Sequence, residues 1–310
     1  MTEATVSVGN DIDICYETFG EPSDPTVLLI MGLSGPMNWW STDLCELIAS
    51  RGYHVVRYDN RDTGASSVLR DRRVGRSDVV RAFLGDRRHA PYGLGDLADD
   101  AFGLLDAIDV DRAHLVGVSM GGMIAQTMAI ARPERVLSLT SMMSTTGRRS
   151  VGWQHPRLFP MLLARTGHSR AEYVRRSLAT QRLIGSPGFE RDLDEHRARA
   201  EETYDRGWSA SGVLRQMLAV LTQRDRTRDL RRLDLPTCVV HGLVDPMVHV
   251  SGGRATALAV RGSELVLIPG LAHDLPKALN PTFADAIDRT ARRSQSRPAR
   301  PTSSDSSSSR

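Results

Sequence analysis

Three side chains of this 310-residue sequence, Ser119, Asp245 and His273, have the types and spacing needed for nucleophilic chemistry through a hydroxyl. Ser119 stands in Gly117-Val118-Ser119-Met120-Gly121, where an apolar run ends and a helical pattern begins. That is the strand, tight turn and helix that project a serine hydroxyl into a cleft. The glycines follow from sterics, because a Cβ at Gly117 or Gly121 would collide with the adjacent strand and helix. The positive end of the following helix favours an anion formed during attack.

Gly-x-Ser-x-Gly alone is a weak signal in a chain with 26 glycines. A serine of ordinary acidity is a poor nucleophile, so the chemistry also needs a base and a carboxylate to orient that base. Thr237-Cys238-Val239-Val240-His241-Gly242-Leu243-Val244-Asp245-Pro246 is a strand pattern running into a turn that carries Asp245. Leu265-Val266-Leu267-Ile268-Pro269-Gly270-Leu271-Ala272-His273 does the same for His273. Both residues fall just past the C-terminal end of a strand, where open α/β sheets build their sites. Taken singly, Asp245 reads as an Asp-Pro turn former and His273 as a structural histidine. In the order Ser, Asp, His they read as a triad. An anion would need two donors. One is expected at the backbone N–H of Met120, the other at that of Leu33, in the Gly32-Leu33-Ser34-Gly35 loop after the strand 27–31.

Residues so placed require a sheet to hold them. Apolar runs at 12–16, 27–31, 53–58, 114–118, 136–142, 237–241 and 264–268 alternate with helical candidates at 43–50, 96–108, 123–131, 255–260 and 282–292. This is the rhythm of βαβ units around a mostly parallel central sheet flanked by helices. Residues 147–232 break it, with no β-type run and 18 Arg against 10 acidic residues, and predict a helical cap inserted before the strand that carries Asp245. A solvated helix surface accounts for the charge. A second Arg-rich stretch, 66–90, predicts a loop or short helix pair beside the cap. The expected organisation is a core of 1–146 and 233–291, a cap of 147–232 and a disordered tail of 292–310.

Composition narrows the function classes. With 40% apolar and 25% charged residues, the chain is neither collagen-like, wholly disordered nor a disulfide scaffold. No apolar run is long enough to cross a membrane. Five Arg and one Asp of the net +3 lie in 292–310, leaving −1 on residues 1–291. That tail has almost nothing to bury and reads as a linker, so no nucleic-acid partner is expected. The first residues lack the basic and apolar regions of a secretory signal, and Cys15, Cys45 and Cys238 are odd in number and far apart. A cytoplasmic protein with small buried thiols is expected. His241 and His249 lack metal-ligand spacing, and neither phosphate-binding glycine pattern occurs, so no metal and no cofactor is expected. Asp59, Arg61 and Asp62 read as a turn-stabilising ion-pair network in preference to substrate contacts, and Trp39 and Trp40 as packing in preference to a pocket floor.

Five segments carry a family resemblance: Ile30-Met31-Gly32-Leu33, Arg57-Tyr58-Asp59-Asn60-Arg61-Asp62-Thr63-Gly64-Ala65-Ser66, Ala90-Pro91-Tyr92-Gly93-Leu94, Asp111 through Gly121, and Pro269-Gly270-Leu271-Ala272-His273-Asp274-Leu275-Pro276. Through them the chain resembles the α/β-hydrolase fold superfamily and, within it, the aclacinomycin methylesterase-like serine esterases. The resemblance covers most of 26–130 and 235–276. It implies an α/β-hydrolase fold with a helical cap, Ser119 as nucleophile, His273 as base, Asp245 as orienting acid, and the Leu33 and Met120 amides as oxyanion hole. The implied activity is hydrolysis of a small-molecule carboxylic ester through an acyl-enzyme. Lactone or carbon–carbon bond hydrolysis, or cofactor-free perhydrolysis, would use the same residues. A non-catalytic small-molecule receptor is the alternative from another class, and the intact triad argues against it. The 66–90 stretch is longer than in the esterase subgroup and the cap matches no motif, so the resemblance names no substrate.

Overall fold

A computed structural model describes residues 3–158 and 169–295. An edge strand β1 (Ala4–Ser7) precedes the seven apolar runs, which become β2 (Asp13–Phe19), β3 (Thr26–Ile30), β4 (His54–Tyr58), β5 (Ala113–Val118), β6 (Val136–Met142), β7 (Thr237–Gly242) and β8 (Glu264–Ile268). They form one sheet in the order β1-β2-β4-β3-β5-β6-β7-β8, parallel from β4 to β8, with β1 and β2 antiparallel at one edge. β1 has no counterpart in the predicted runs. Its Ala-Thr-Val-Ser sequence lies along the edge with only Val6 half-buried against the core, and four residues with one core contact are too short a pattern to announce a strand.

The central strands are continuous apolar runs because both faces are covered. Leu28 and Ile30 of β3 point to one side, toward α3 (Leu94–Ala107), α4 (Met120–Ala131) and α9 (Ser251–Ala259). Val27, Leu29 and Met31 point to the other, toward α1 (Thr42–Ala49) and α10 (Asn280–Gln295). Trp40 is buried in this second layer and Trp39 packs against it, as the packing reading anticipates. Helix α10 continues to Gln295, so the sequence reading starts the tail four residues too early. Arg292 pairs with Asp288 one turn back at 2.9 Å, and Arg293 reaches the Gly262 carbonyl at 2.6 Å. Residues 296–310 lie outside the described residues.

Between β6 and β7 the described residues form α5 (Arg170–Ile184), α6 (Leu193–Asp205), α7 (Ala210–Leu221) and α8 (Thr227–Leu230), with no strand among them. The 66–90 stretch holds one helix, α2 (Arg76–Phe83), rather than a pair, and it packs against α7. No helix among the described residues is long and apolar enough to cross a membrane.

One buried titratable group in the sheet predicts acid sensitivity. His114 in β5 is 1% exposed, 2.8 Å from Ser138 Oγ and edge-on to Tyr53. Burial, assisted by Arg112, pulls its pKa down to about 4 from 6.5. On acidification the unfolded chain therefore takes up this proton first, and the stability that the neutral ring provides is lost as pH falls from about 6.5 to about 4. The expected loss is about 3 kcal/mol. His114→Gln should flatten that part of the curve of urea midpoint against pH; an equally steep curve would assign the sensitivity to another group.

Candidate active site

The strand order reverses direction between β3 and β5, and the crevice at the C-terminal ends of these strands is where open α/β sheets bind ligands. Ser119 sits there, between β5 and α4, with φ 56° and ψ −119°. A side chain rarely adopts this left-handed backbone, and the surroundings must hold it. Its N–H donates to the Met142 carbonyl at 2.9 Å, and its own carbonyl accepts from Ser144 Oγ at 2.8 Å and from Met123 N–H at 3.2 Å.

The glycines act as sterics require. A Cβ on Gly117 would stand 2.2 Å from the Gly121 carbonyl oxygen, and one on Gly121 only 2.0 Å from that of Ile30. Gly121→Ala must push α4 off β3, since the obstructing atom is backbone. An expected destabilisation of about 3 kcal/mol or more follows, readable as a lowered urea midpoint at unchanged slope. A midpoint within error of the parent would mean that α4 has slack at its first turn.

His273, in the loop after β8, bridges the other two residues. Its Nε2 is 3.0 Å from Ser119 Oγ and its Nδ1 is 2.7 Å from Asp245 Oδ2. A carboxylate only accepts, so Nδ1 carries the proton and Nε2 is free to receive one from the serine. Asp245 is fixed on its far side, where Oδ1 accepts the N–H groups of Met247 at 2.8 Å and Val248 at 2.9 Å. Burial acts to raise its pKa, but the adjacent His273, with His241 behind, more than offsets this and holds the carboxyl below its ordinary range. It is therefore ionised at neutral pH.

His241, which offers no ligand spacing in the sequence, lies fully buried behind this carboxylate. Its Nε2 donates to the Val248 carbonyl at 2.8 Å and lies 3.5 Å from Asp245 Oδ2. His249 instead stacks on Trp153 at 4.3 Å.

The loop after β3 closes the crevice. A Cβ on Gly32 would stand 3.1 Å from that of Ser119, so the backbone at Gly32 runs against the serine. Asn60 Nδ2 donates to the Met31 carbonyl at 3.1 Å, and Asp59 Oδ1 accepts Met37 N–H at 2.7 Å. Gln216 of α7 accepts Ser34 N–H at 2.8 Å while donating to the Arg61 carbonyl and Thr63 Oγ1 at 2.9 and 2.8 Å. The Met120 amide opens α4 and belongs to the first turn, whose N–H groups have no partner within the helix.

Asp59, Arg61 and Asp62 form the ion-pair network. Arg61 pairs with Asp100 through two bonds of 2.5 Å, Arg215 grips Asp62 at 2.7 and 2.6 Å, Tyr92 donates to Asp62 at 2.7 Å, and Arg206 meets Asp59 at 2.9 Å. Arg206, just past the end of α6, and Arg215 and Gln216 of α7 all come from the segment between β6 and β7. Trp39 ties to the same region through its indole N–H on Thr203 Oγ1 at 3.0 Å.

Sheet, elbow and loops together define a class, and comparison with known proteins agrees. The alpha/beta hydrolase fold family model matches residues 25–276. The chain is 30% identical over 297 residues to rhodomycin D methylesterase DauP of Streptomyces sp. (strain C5), and 29% identical to rhodomycin D methylesterase DnrP of Streptomyces peucetius. Each match covers 90% of this chain and 94% of the relative. The solved esterase RhEst1 from Rhodococcus sp. ECU1013 superposes with a TM-score of 0.70 at 19% identity, over 94% of this chain and 99% of that one. The chain belongs to the α/β-hydrolase fold family. Within it, this is an ester hydrolase of the aclacinomycin methylesterase-like subgroup.

Proposed function

We propose that this ester hydrolase works through an acyl-enzyme in which Ser119 is the nucleophile, His273 the general base and Asp245 the orienting acid. The observation that carries the reading is the unbroken hydrogen-bond chain from Asp245 Oδ2 through His273 to Ser119 Oγ, at 2.7 and 3.0 Å. Ser119 Oγ attacks the ester carbonyl while its proton passes to His273 Nε2. The tetrahedral oxyanion is received by the Leu33 and Met120 amides, each donor being worth about a hundred- to thousand-fold in rate. Collapse expels the alcohol, which takes the proton back from Nε2. Water, deprotonated by His273 in turn, releases the acid and restores the serine.

Residues 147–232 are the cap in this reading, over a core of 1–146 and 233–295. They supply Arg206, Arg215 and Gln216 to loops at the C-terminal strand ends. The substrate is the carboxylic ester of a small organic molecule, and the two rhodomycin D methylesterase relatives favour a methyl ester. Three buried free thiols, Cys15, Cys45 and Cys238, suit the reducing cytoplasm.

Incubation with a fluorophosphonate followed by intact-mass measurement tests nucleophile and activation without presupposing a substrate. One adduct per chain, mapped to Ser119, is expected. Folded protein with no adduct, or an adduct elsewhere, would overturn the assignment. Product analysis over a panel of methyl esters and lactones then separates an open-chain ester from its cyclic counterpart.

A further inference from the structure

Next to the Asp245, His273 and Ser119 chain lies a second set of hydrogen bonds that the reaction itself does not use. The loop carrying His273 runs antiparallel to the segment leaving α5. His273 N–H donates to the Ile184 carbonyl at 2.9 Å, and Gly188 N–H donates to that of Gly270 at 3.1 Å. The two backbones approach so closely that a Cβ on Gly188 would stand 2.7 Å from Gly270 Cα. Between these bonds Ser186 is buried, 1% exposed. Its hydroxyl accepts Ala272 N–H at 2.8 Å and donates to Asp274 Oδ1. The Ser186 N–H reaches the same carboxylate at 3.1 and 3.2 Å, and Gln181 Nε2, in the last turn of α5, donates to Asp274 Oδ2 at 2.9 Å.

Residues 272, 273 and 274 are thus each tied to 181–186, two through main-chain N–H groups and one through its side chain. On the core side the loop is joined one residue earlier, where the Leu271 carbonyl accepts Val244 N–H at 3.2 Å. The backbone that sets the His273 ring therefore takes its hydrogen bonds from the helical segment between β6 and β7. We propose that Ser186 and Asp274 are positioning residues that make the competence of His273 depend on docking of the 181–188 segment. The proposal rests on the reading of His273 as general base.

The ring has to satisfy bonds to Asp245 and Ser119 at once, and a misplacement of about 1 Å in such an arrangement costs about a hundredfold in rate. Asp274 itself faces three donors of the α5 segment, and the His273 ring is not among them. Its part is to hold Ser186, and through Ser186 the Ala272 amide, so hydrogen bonding rather than charge does the work. Asparagine at 274 keeps an oxygen for Ser186, and Gln181 can turn its own oxygen toward the new amide.

The test compares fluorophosphonate labelling of the full chain with that of Asp274→Ala, Ser186→Ala and Asp274→Asn, measuring the maximal rate and the half-saturating concentration separately, with thermal unfolding alongside. Both alanine variants should lower the maximal rate by about ten- to a hundredfold, with the adduct still on Ser119 and half-saturation within about twofold. Asp274→Asn should return to within about threefold of the parent. Asp274→Ala labelling at the parental rate would overturn the proposal, as would Asn failing as badly as Ala, which would make the effect one of charge. If Asp274→Ala does not fold, Ser186→Ala takes its place: labelling of that variant at the parental rate would overturn the proposal equally. Absence of an adduct on the parent chain is a different failure: it removes the triad reading, and this proposal with it.

Discussion

Ser119→Ala is expected to lower kcat toward an activated ester by about ten-thousand-fold or more, with KM changed by no more than about threefold. Alanine meets the φ of 56° no worse than serine does. The contacts that hold the elbow run through the backbone N–H and carbonyl of residue 119, and both survive. Only the hydroxyl that meets His273 Nε2 at 3.0 Å disappears. Residual turnover would come from the oxyanion amides and from binding. The check is steady-state kinetics on variant shown free of parental enzyme by active-site titration. Retention of more than about one per cent of kcat would mean that another group attacks the ester.

Asp245→Asn is expected to cost about a thousand- to ten-thousand-fold in kcat while leaving the thermal midpoint nearly unchanged. Geometry dictates which way the new amide turns. Oδ1 accepts two main-chain N–H groups, from Met247 and Val248, so the oxygen of asparagine must stay there and its NH2 must take the place of Oδ2. That NH2 then faces His273 Nδ1, which has to present a lone pair. The ring proton moves to Nε2 and points at Ser119, so the base is blocked at the nitrogen that should receive the serine proton. The imidazolium also loses the anion that stabilises it. If kcat fell less than about tenfold, a different carboxylate would be orienting His273.

The sheet and the positions of Ser119, Asp245 and His273 were legible in the sequence for the same reason: each strand leading to one of these residues is a short apolar run, buried on both faces in β5 and β7 and half-buried in edge strand β8, and the residue follows its end. Gly117 and Gly121 marked the elbow because close backbone contact leaves no room for a side chain. Edge strand β1 was invisible because an exposed strand of four residues buries too little to be patterned. The tail boundary slipped because Arg292 and Arg293 look like the start of a charged linker, whereas α10 uses both to finish its last turns. Harder still were the contacts that the helices between β6 and β7 make with the loops of the site. Gln216 meets Ser34 across 182 residues, and Ser186 meets Asp274 across 88. Neither residue type is unusual where it stands, so nothing local distinguishes it from any other polar residue on a helix or turn.

The double grip of Gln216 bears on attempts to re-engineer specificity by exchanging helical insertions between relatives. One side chain closes the turn after β3 through Ser34 and at the same time caps the turn after β4 through Arg61 and Thr63. A grafted insertion without an amide at that point would leave the Ser34 N–H and the Arg61 carbonyl without their partner, a deficit of about 1–3 kcal/mol for each group kept from water. The turn that would relax to recover it includes Leu33. The insertion is therefore not an interchangeable module: a chimera that recognises a new substrate well could still hydrolyse it poorly unless this glutamine is carried across with the graft.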